Sequence, residues 1–349
     1  MRFIFCVIIV LRHSEDLIGY PYPFLGGALA VEFFFLVSGY LMAKSVEKMR
    51  PFTAGSNLGR ETARFIGKKI SSLLPEYIVA WIIAFAFFGY ANKCNLLELY
   101  QAFCTTVGEL FFLKMAGMSD GGINGVVWYI STMLICMTII FPLLRKYRNM
   151  MLYVIIPLSC ALILGGLYQN GSLRDPTNWC GFFFKGNLRG FAEIELGIML
   201  FYAVENLKAK NLNSFARTCI MLLKWGAFAL FINYICYIDE SQRDYAYLFV
   251  LVIFVGLIFS RQAIDSDVFD RKICFWLGKF SLPLYLSHIY YAFYLSLVLP
   301  EGLSVNEQLV IYLACAFITA LFVMLVSKCL RKNKDRIKCD IKKLTIKES

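Results

Sequence analysis

Long apolar stretches recur along almost the whole chain. Each approaches the roughly 20 helical residues that cross a hydrocarbon core about 30 Å thick. Val126–Leu144 and Met151–Tyr168 contain no charged residue. The runs lack the alternation of apolar and polar residues that marks a membrane β-barrel. The pattern predicts an all-α, polytopic membrane bundle of about ten transmembrane helices, at 1–18, 24–43, 73–90, 126–144, 151–168, 189–204, 218–236, 245–260, 280–299 and 307–327.

The composition also indicates that most of this chain lies in a lipid bilayer. Of its 349 residues, 59% are hydrophobic, and the mean hydropathy of +0.63 lies well above that of soluble proteins. The spans account for nearly the whole length, so no soluble domain is expected. We divide the chain into a membrane domain, 1–327, and a basic tail, 328–349.

The net charge of +11 comes from basic residues whose distribution follows membrane topology, which argues against nucleic-acid binding. With a cytoplasmic N-terminus, the inside segments carry 26 of the 35 Lys and Arg residues, and the outer loops carry about six. We therefore predict that both termini are cytoplasmic and that the tail faces anionic lipid. No nucleic-acid partner is expected, and the protein should be a multi-pass protein of a cell membrane.

Cysteine and histidine usage argues against metal chemistry. Twelve cysteines occur, mostly inside spans and without paired spacing, so we interpret them as small packing residues. The chain has two histidines and no CxxC pair. We expect neither a metal site nor a permanently bound cofactor.

Arg2 and His13 form the first candidate pair. Titratable groups at membrane depth are costly, so those retained there are candidates for function. Eleven residues place the two side chains within about 20° of one helix face and about 16 Å apart along the axis. The arginine could hold a phosphate-rich donor, while a neutral imidazole accepts a proton from a hydroxyl. The alternative is that His13 only caps the helix beside Glu15 and Asp16.

Glu32 lies in the second span, where an unpaired carboxylate is costly. One hypothesis is that it orients the ring of His13, because consecutive spans tend to be neighbours. The other is a packing carboxylate that bonds a nearby hydroxyl.

Three further residues lie in later spans. Arg189 and Glu193 are an i,i+4 pair at the predicted outer mouth of the sixth span, which indicates either mutual neutralisation or binding of an acceptor. His288 lies inside the ninth predicted span and is either a second polar site or a hydrogen-bonded packing residue.

These residues belong to longer motifs. Trp128-Tyr129 is a short aromatic signature, and the longer segments are Arg2-x10-His13, Glu32-Phe33-Phe34-Phe35-x2-Ser38-Gly39-Tyr40 and Leu277–His288. In these segments the sequence resembles the acyltransferase-3 family, integral membrane acyltransferases that modify O-antigens, capsules and other bacterial glycans. The family pattern has several residues before its arginine, whereas Met1 directly precedes Arg2 here. Either the first helix is unusually short, or the true N-terminus lies upstream of Met1.

The resemblance implies a mechanism. Acyl-CoA, commonly acetyl-CoA, would be the cytoplasmic donor, and a cell-surface or lipid-linked glycan would be the acceptor. His13 would be the general base and Glu32 its partner or a structural support. Arg2 and Ser38 would lie on the donor or gating side. The acceptor side would involve Trp128, Arg189, Glu193 and His288.

Two other functions are compatible with many spans. A transporter or flippase for a lipid-linked saccharide would move its substrate without consuming acyl-CoA, but inverted halves with broken helices in corresponding positions are not evident. A catalytically silent sensor is the third hypothesis. Retention of both His13 and Glu32 argues weakly against it.

Overall fold

The computed structural model describes residues 1–19, 24–53, 55–118, 122–264 and 272–347, with side chains as far as residue 332. It is 78% helical with almost no strand, which confirms the predicted all-α class. The helices in chain order are α1 Arg2–Arg12, α2 Glu15–Ile18, α3 Ala30–Glu47, α4 Leu58–Ala91, α5 Leu96–Leu110, α6 Val127–Lys146, α7 Arg148–Met150, α8 Ile156–Gln169, α9 Lys185–Lys208, α10 Ser214–Tyr237, α11 Asp244–Ser260, α12 Lys272–Ser287, α13 Ile289–Tyr294 and α14 Val305–Lys347.

Shorter elements complete the described part. A π-helical segment, Met151–Ile155, joins α7 to α8. Two strands of two residues, β1 Trp179–Cys180 and β2 Phe183–Phe184, pair antiparallel between α8 and α9. Short 3₁₀ turns occupy Gly27–Leu29, Lys114–Ala116 and Leu295–Leu297.

Six helical segments of the described residues are long and apolar enough to cross a membrane. They are Gly27–Glu47, Leu58–Ala91, Val127–Lys146, Arg148–Gln169, Ser214–Tyr237 and Val305–Lys332. A seventh apolar helix, α11, is shorter. The protein therefore has multi-pass membrane character, while the count of about ten spans and the cytoplasmic termini stay predictions.

Two predicted spans are broken helices. The first, 1–18, is interrupted because α1 ends at Arg12 and α2 starts only at Glu15. The ninth, 280–299, is interrupted at His288, where α12 gives way to α13. Apolar composition alone does not reveal either break, because hydropathy averaged over a span does not depend on where the helical hydrogen bonding stops.

Helices also form in the polar segments between the long apolar runs. The basic segment at 44–72 becomes helical again from Leu58, with the Asn57 side chain accepting from the backbone N–H of Arg60. The segment at 91–125 contains α5, which starts with a capping box of Asn95 and Glu98. The tail continues α14 without interruption to Lys347.

The closest helix packing is between α3 and α9 in the centre of the bundle. A Cβ at Gly39 would overlap the backbone carbonyl of Ile194, and a Cβ at Gly197 would overlap that of Leu36. Small residues let two helix backbones approach in this way, which is a common means of association in membranes. This approach sets α3 and α9 at the separation that the polar residues farther along both helices require.

We predict that Gly197→Ala lowers thermal stability, because the added methyl group overpacks α3 against α9 at a cost of about 1–3 kcal/mol. The matched control is Gly226→Ala on α10, where nothing lies within 4 Å of the added Cβ. Midpoints of thermal unfolding in detergent measure both. Equal midpoints for the two variants would contradict the close packing of α3 and α9.

Candidate active site

His13 is the residue that ends α1, and its side chain is 35% exposed. The chain turns at His13 and Ser14, where the Ser14 hydroxyl donates to the carbonyl of Leu11. This turn brings Asp16 back toward the imidazole, with Oδ2 lying 3.2 Å from His13 Nδ1. The carboxylate beside His13 is thus Asp16.

The Asp16 contact assigns the tautomer of His13. A carboxylate only accepts hydrogen bonds, so the Nδ1–H of His13 donates to it and Nε2 keeps its lone pair. The arrangement is that of a carboxylate that orients a histidine base. Sequence reasoning noted Asp16 only as a neighbour, although the i,i+3 spacing of His13 and Asp16 is a signal for it.

His288 is the other histidine, and it lies fully buried at the break between α12 and α13. Its ring centroid is 5.3 Å from that of His13, although 275 residues separate them in sequence. Its Nδ1 lies 3.3 Å from the Leu284 carbonyl oxygen. The ring of Tyr285, one turn earlier, is 5.9 Å away. The two histidines therefore meet at two helix ends.

Glu32 contacts Arg189 rather than His13. The two side chains form a buried ion pair between α3 and α9, and Glu193 Oε1 lies 3.8 Å from Arg189 Nε on the same helix. The guanidinium also lies 5.3 Å from the ring of Trp128. The expected pair of Arg189 and Glu193 is present, but the closer partner of Arg189 is Glu32. The partner of Glu32 is thus a guanidinium, neither the His13 ring nor the hydroxyl of the two hypotheses.

A second cluster of ion pairs lies next to His13 at the end of α1. It was not recognised from the sequence. Arg12 pairs with Glu15 and with Glu240, the latter at 3.2 Å. Arg174, from the segment between α8 and β1, lies 3.5 Å from Glu240 and 3.9 Å from Glu15. Burial raises the pKa of Glu240, and the guanidinium groups of Arg12 and Arg174 oppose that rise. The cluster ties the end of α1 to two distant loops.

His13 opens into a cavity of about 230 Å³, which we call the His13 cavity. Its lining includes Arg12, His13, Asp16, Trp128, Arg174 and Arg189. Trp128 and Arg189, which the sequence assigned to the acceptor side, therefore line the same cavity as His13. Glu193 and His288 stand behind this lining, both fully buried.

A second cavity, of about 220 Å³, lies at the other end of α1, and we call it the Arg2 cavity. Its lining includes Arg2, Ser38, Lys69, Tyr129, Ser281 and Tyr285. The Ser38 hydroxyl is 3.1 Å from that of Tyr129. The structure thus brings together Arg2 and Ser38, which the sequence assigned to a common side. Lys69 was not identified from the sequence, whereas Tyr129 and Tyr285 belong to the motifs quoted above but were assigned no role.

The two cavities lie along the same three helices. Helices α1, α3 and α6 each contribute residues to both cavities. Along α1, the step from Arg2 to His13 is about 16 Å. Tyr285 lines the Arg2 cavity, and its hydroxyl donates to the carbonyl of Val126 at 2.9 Å. The ring of His288 lies 5.9 Å from that of Tyr285 and 5.3 Å from that of His13, so it links the lining of the two cavities.

Within the part of the chain described, no cluster of three His, Cys, Asp or Glu side chains could hold a metal ion. The chemistry that these residues offer is proton transfer at imidazole nitrogen and recognition of anions by arginine and lysine.

Comparison with known proteins places these observations in a family. The family model described as an acyltransferase domain matches residues 1–328. An O-acetyl transferase of Shigella phage Sf6 is 24% identical to the chain over 278 residues, which cover 70% of this chain and 80% of that relative. No solved structure matches.

We predict that Arg189→Gln destabilises the protein by about 3–5 kcal/mol, because it leaves the buried Glu32 carboxylate without its partner. The double variant Arg189→Gln with Glu32→Gln should recover part of this loss, since the Glu32 position then carries no unpaired charge. Thermal unfolding in detergent measures both. Arg217→Gln, at an exposed arginine of α10, is the control and should change little. A double variant no more stable than Arg189→Gln would refute the pairing.

Proposed function

The chain belongs to the acyltransferase-3 family, whose domain model spans residues 1–328, and from this premise we propose its reaction, donor and acceptor. It is an acyl-transferring enzyme, and O-acyl transfer is supported by its relative. We propose that the acyl group, most simply acetyl, comes from cytoplasmic acyl-CoA. The acceptor is a hydroxyl of a cell-surface or lipid-linked glycan.

The observation that carries this proposal is the pair of cavities at the two ends of α1. In the predicted orientation the Arg2 cavity faces the cytoplasm and the His13 cavity faces outward. A donor and an acceptor on opposite sides of a membrane need separate sites that meet at one base. His13 lines one cavity, and the rings of His288 and Tyr285 lead from it to the other.

The basic residues near the Arg2 cavity support a nucleotide donor. An open groove adjoins this cavity, sharing Lys69 and Ser72 with it, and Arg64 and Lys68 also line the groove. Guanidinium and ammonium groups recognise phosphate oxygens. The phosphates of acyl-CoA would bind in this groove, and its acyl end would extend into the Arg2 cavity toward Tyr285.

The lining of the His13 cavity supports a sugar acceptor. Trp128 offers an aromatic face and Arg174 offers hydrogen-bond donors, while Asp16 and Asp175 offer acceptors. A sugar presents both apolar C–H faces and hydroxyl groups, so this mixture of side chains matches its chemistry. One sugar hydroxyl would donate to His13 Nε2.

The chemistry at His13 follows from its tautomer. Nε2 takes the proton of the acceptor hydroxyl while the hydroxyl oxygen attacks the carbonyl carbon of the acyl group. Asp16 holds the Nδ1–H and stabilises the imidazolium that forms. The ionic cluster of Arg12 and Glu240 fixes the end of α1, and so keeps the ring in place.

We predict that His13→Ala lowers acyl transfer to cell-surface polysaccharide by about 10²–10⁴-fold, because the base is lost. Mass analysis of the polysaccharide measures acylation, and immunoblotting of membranes checks that protein levels are unchanged. Transfer at the wild-type level would eliminate His13 as the base.

We predict that Asp16→Asn lowers kcat by more than about tenfold, because the amide cannot stabilise imidazolium as a carboxylate does. The matched control is Asp175→Asn in the same cavity, at a position with φ +57° that asparagine also adopts. Steady-state kinetics of the purified variants measures kcat. A kcat of Asp16→Asn equal to that of the wild-type enzyme would rule out the orienting role.

A further inference from the structure

His288 lies between a residue of the Arg2 cavity and His13. It is 0% exposed and belongs to the lining of neither cavity. Its ring contacts Tyr285, which lines the Arg2 cavity, and it also contacts His13. The imidazole of His288 is therefore within one ring contact of each cavity.

The Nε2 atom of His288 is a buried nucleophile. Nδ1 lies against the Leu284 carbonyl oxygen, which only accepts, so Nδ1 carries the proton and Nε2 keeps its lone pair. Nε2 has no hydrogen-bond partner among the described residues. A buried polar atom without a partner costs free energy, and such atoms in a native protein call for a functional explanation.

The two histidines differ in the property that decides which can carry an acyl group. An acyl-imidazole reacts readily with water, so it survives only where water is excluded. His288 is fully buried, whereas the His13 side chain is 35% exposed in its cavity. A His13 that carried the acyl group would also lack the lone pair with which it deprotonates the acceptor. The difference in burial thus suits His288 to carry the acyl group and His13 to act as the base.

On the basis of the proposed function, we propose that His288 is a covalent acyl carrier, which receives the acyl group at Nε2 from the donor thioester and passes it to the hydroxyl activated by His13. Burial, the unpartnered Nε2 and the position between the two cavities carry this inference.

Bonds, electron pairs and protons are all accounted for over the two steps of this transfer. In the first, the Nε2 lone pair of His288 attacks the thioester carbonyl carbon, the C–S bond breaks and the electron pair leaves with the thiolate. In the second, His13 takes the proton of the acceptor hydroxyl, whose oxygen attacks the acyl carbon on His288. The N–C bond breaks, and His288 recovers its lone pair. The proton on His13 is then released and the thiolate takes up one proton, so the products are ester and thiol.

The test uses purified full-length protein in detergent with radiolabelled acetyl-CoA and no acceptor. The wild-type enzyme should release thiol and bind acetyl in equal amounts, up to one per chain, and hydroxylamine should remove the label. Polysaccharide from a strain that lacks the gene should then discharge the label as O-acetyl ester.

Two variants separate the roles of the histidines. His288→Asn retains a side-chain N–H for the Leu284 carbonyl but lacks Nε2, so labelling should fall by more than about tenfold while thermal stability is kept. His13→Ala should still take up the label, but polysaccharide should no longer discharge it. Cys6→Ser, at a buried thiol near α12, is the control against thioester formation and should label normally.

The outcomes distinguish this proposal from the proposed function. A wild-type enzyme that acetylates polysaccharide but never carries label would overturn the carrier and leave the O-acyltransferase intact. Normal labelling of His288→Asn together with none in His13→Ala would assign the carrier to His13 and overturn the proposal. Absence of acetyl transfer by the wild-type enzyme with every acceptor would refute the proposed function itself.

Discussion

The arrangement of the bundle depends on the contacts of one buried group, the guanidinium of Arg189. It joins α9 to α3 through Glu32, contacts Glu193 one turn along its own helix, and lies against Trp128 of α6. Charged groups in such a place persist only when they are paired, because the cost of burying them alone exceeds the stabilisation from most single contacts. Three helices are thereby held at a fixed register around the floor of the His13 cavity.

The backbone geometry makes this pairing feasible. Glycines at the crossing of α3 and α9 let the two helices approach more closely than larger side chains would allow. Without that approach, a carboxylate on one helix and a guanidinium on the other could not meet in the core. The close packing at the glycines therefore allows the ion pair to form, and the ion pair in turn helps to hold the two helices together.

Two helix breaks then produce the reactive centre. Because α1 ends at Arg12 and α12 ends at Ser287, the side chains of His13 and His288 project from helix ends and meet across the bundle. Each ring has its Nδ1 occupied, by Asp16 in one case and by the Leu284 carbonyl in the other. Both Nε2 atoms are consequently available to react. That of His13 lies at the His13 cavity, and that of His288 is fully buried.

The amino-acid sequence by itself determined the all-α membrane character, because apolar runs of sufficient length have no other stable form in lipid. It also singled out several residues that line the two cavities, since titratable groups are rare at membrane depth and therefore stand out. Trp128 and Arg189 lie with His13, and Ser38 lies with Arg2.

Only the tertiary structure decided which side chains are partners. Glu32 was a plausible neighbour of His13 by chain order, yet it pairs with Arg189, and the carboxylate beside His13 is Asp16. Hydrogen-bond partners depend on the rotation of each helix about its axis and on where each helix ends. Those quantities are fixed by packing between elements that are distant in sequence, which is why a local pattern of residues does not contain them.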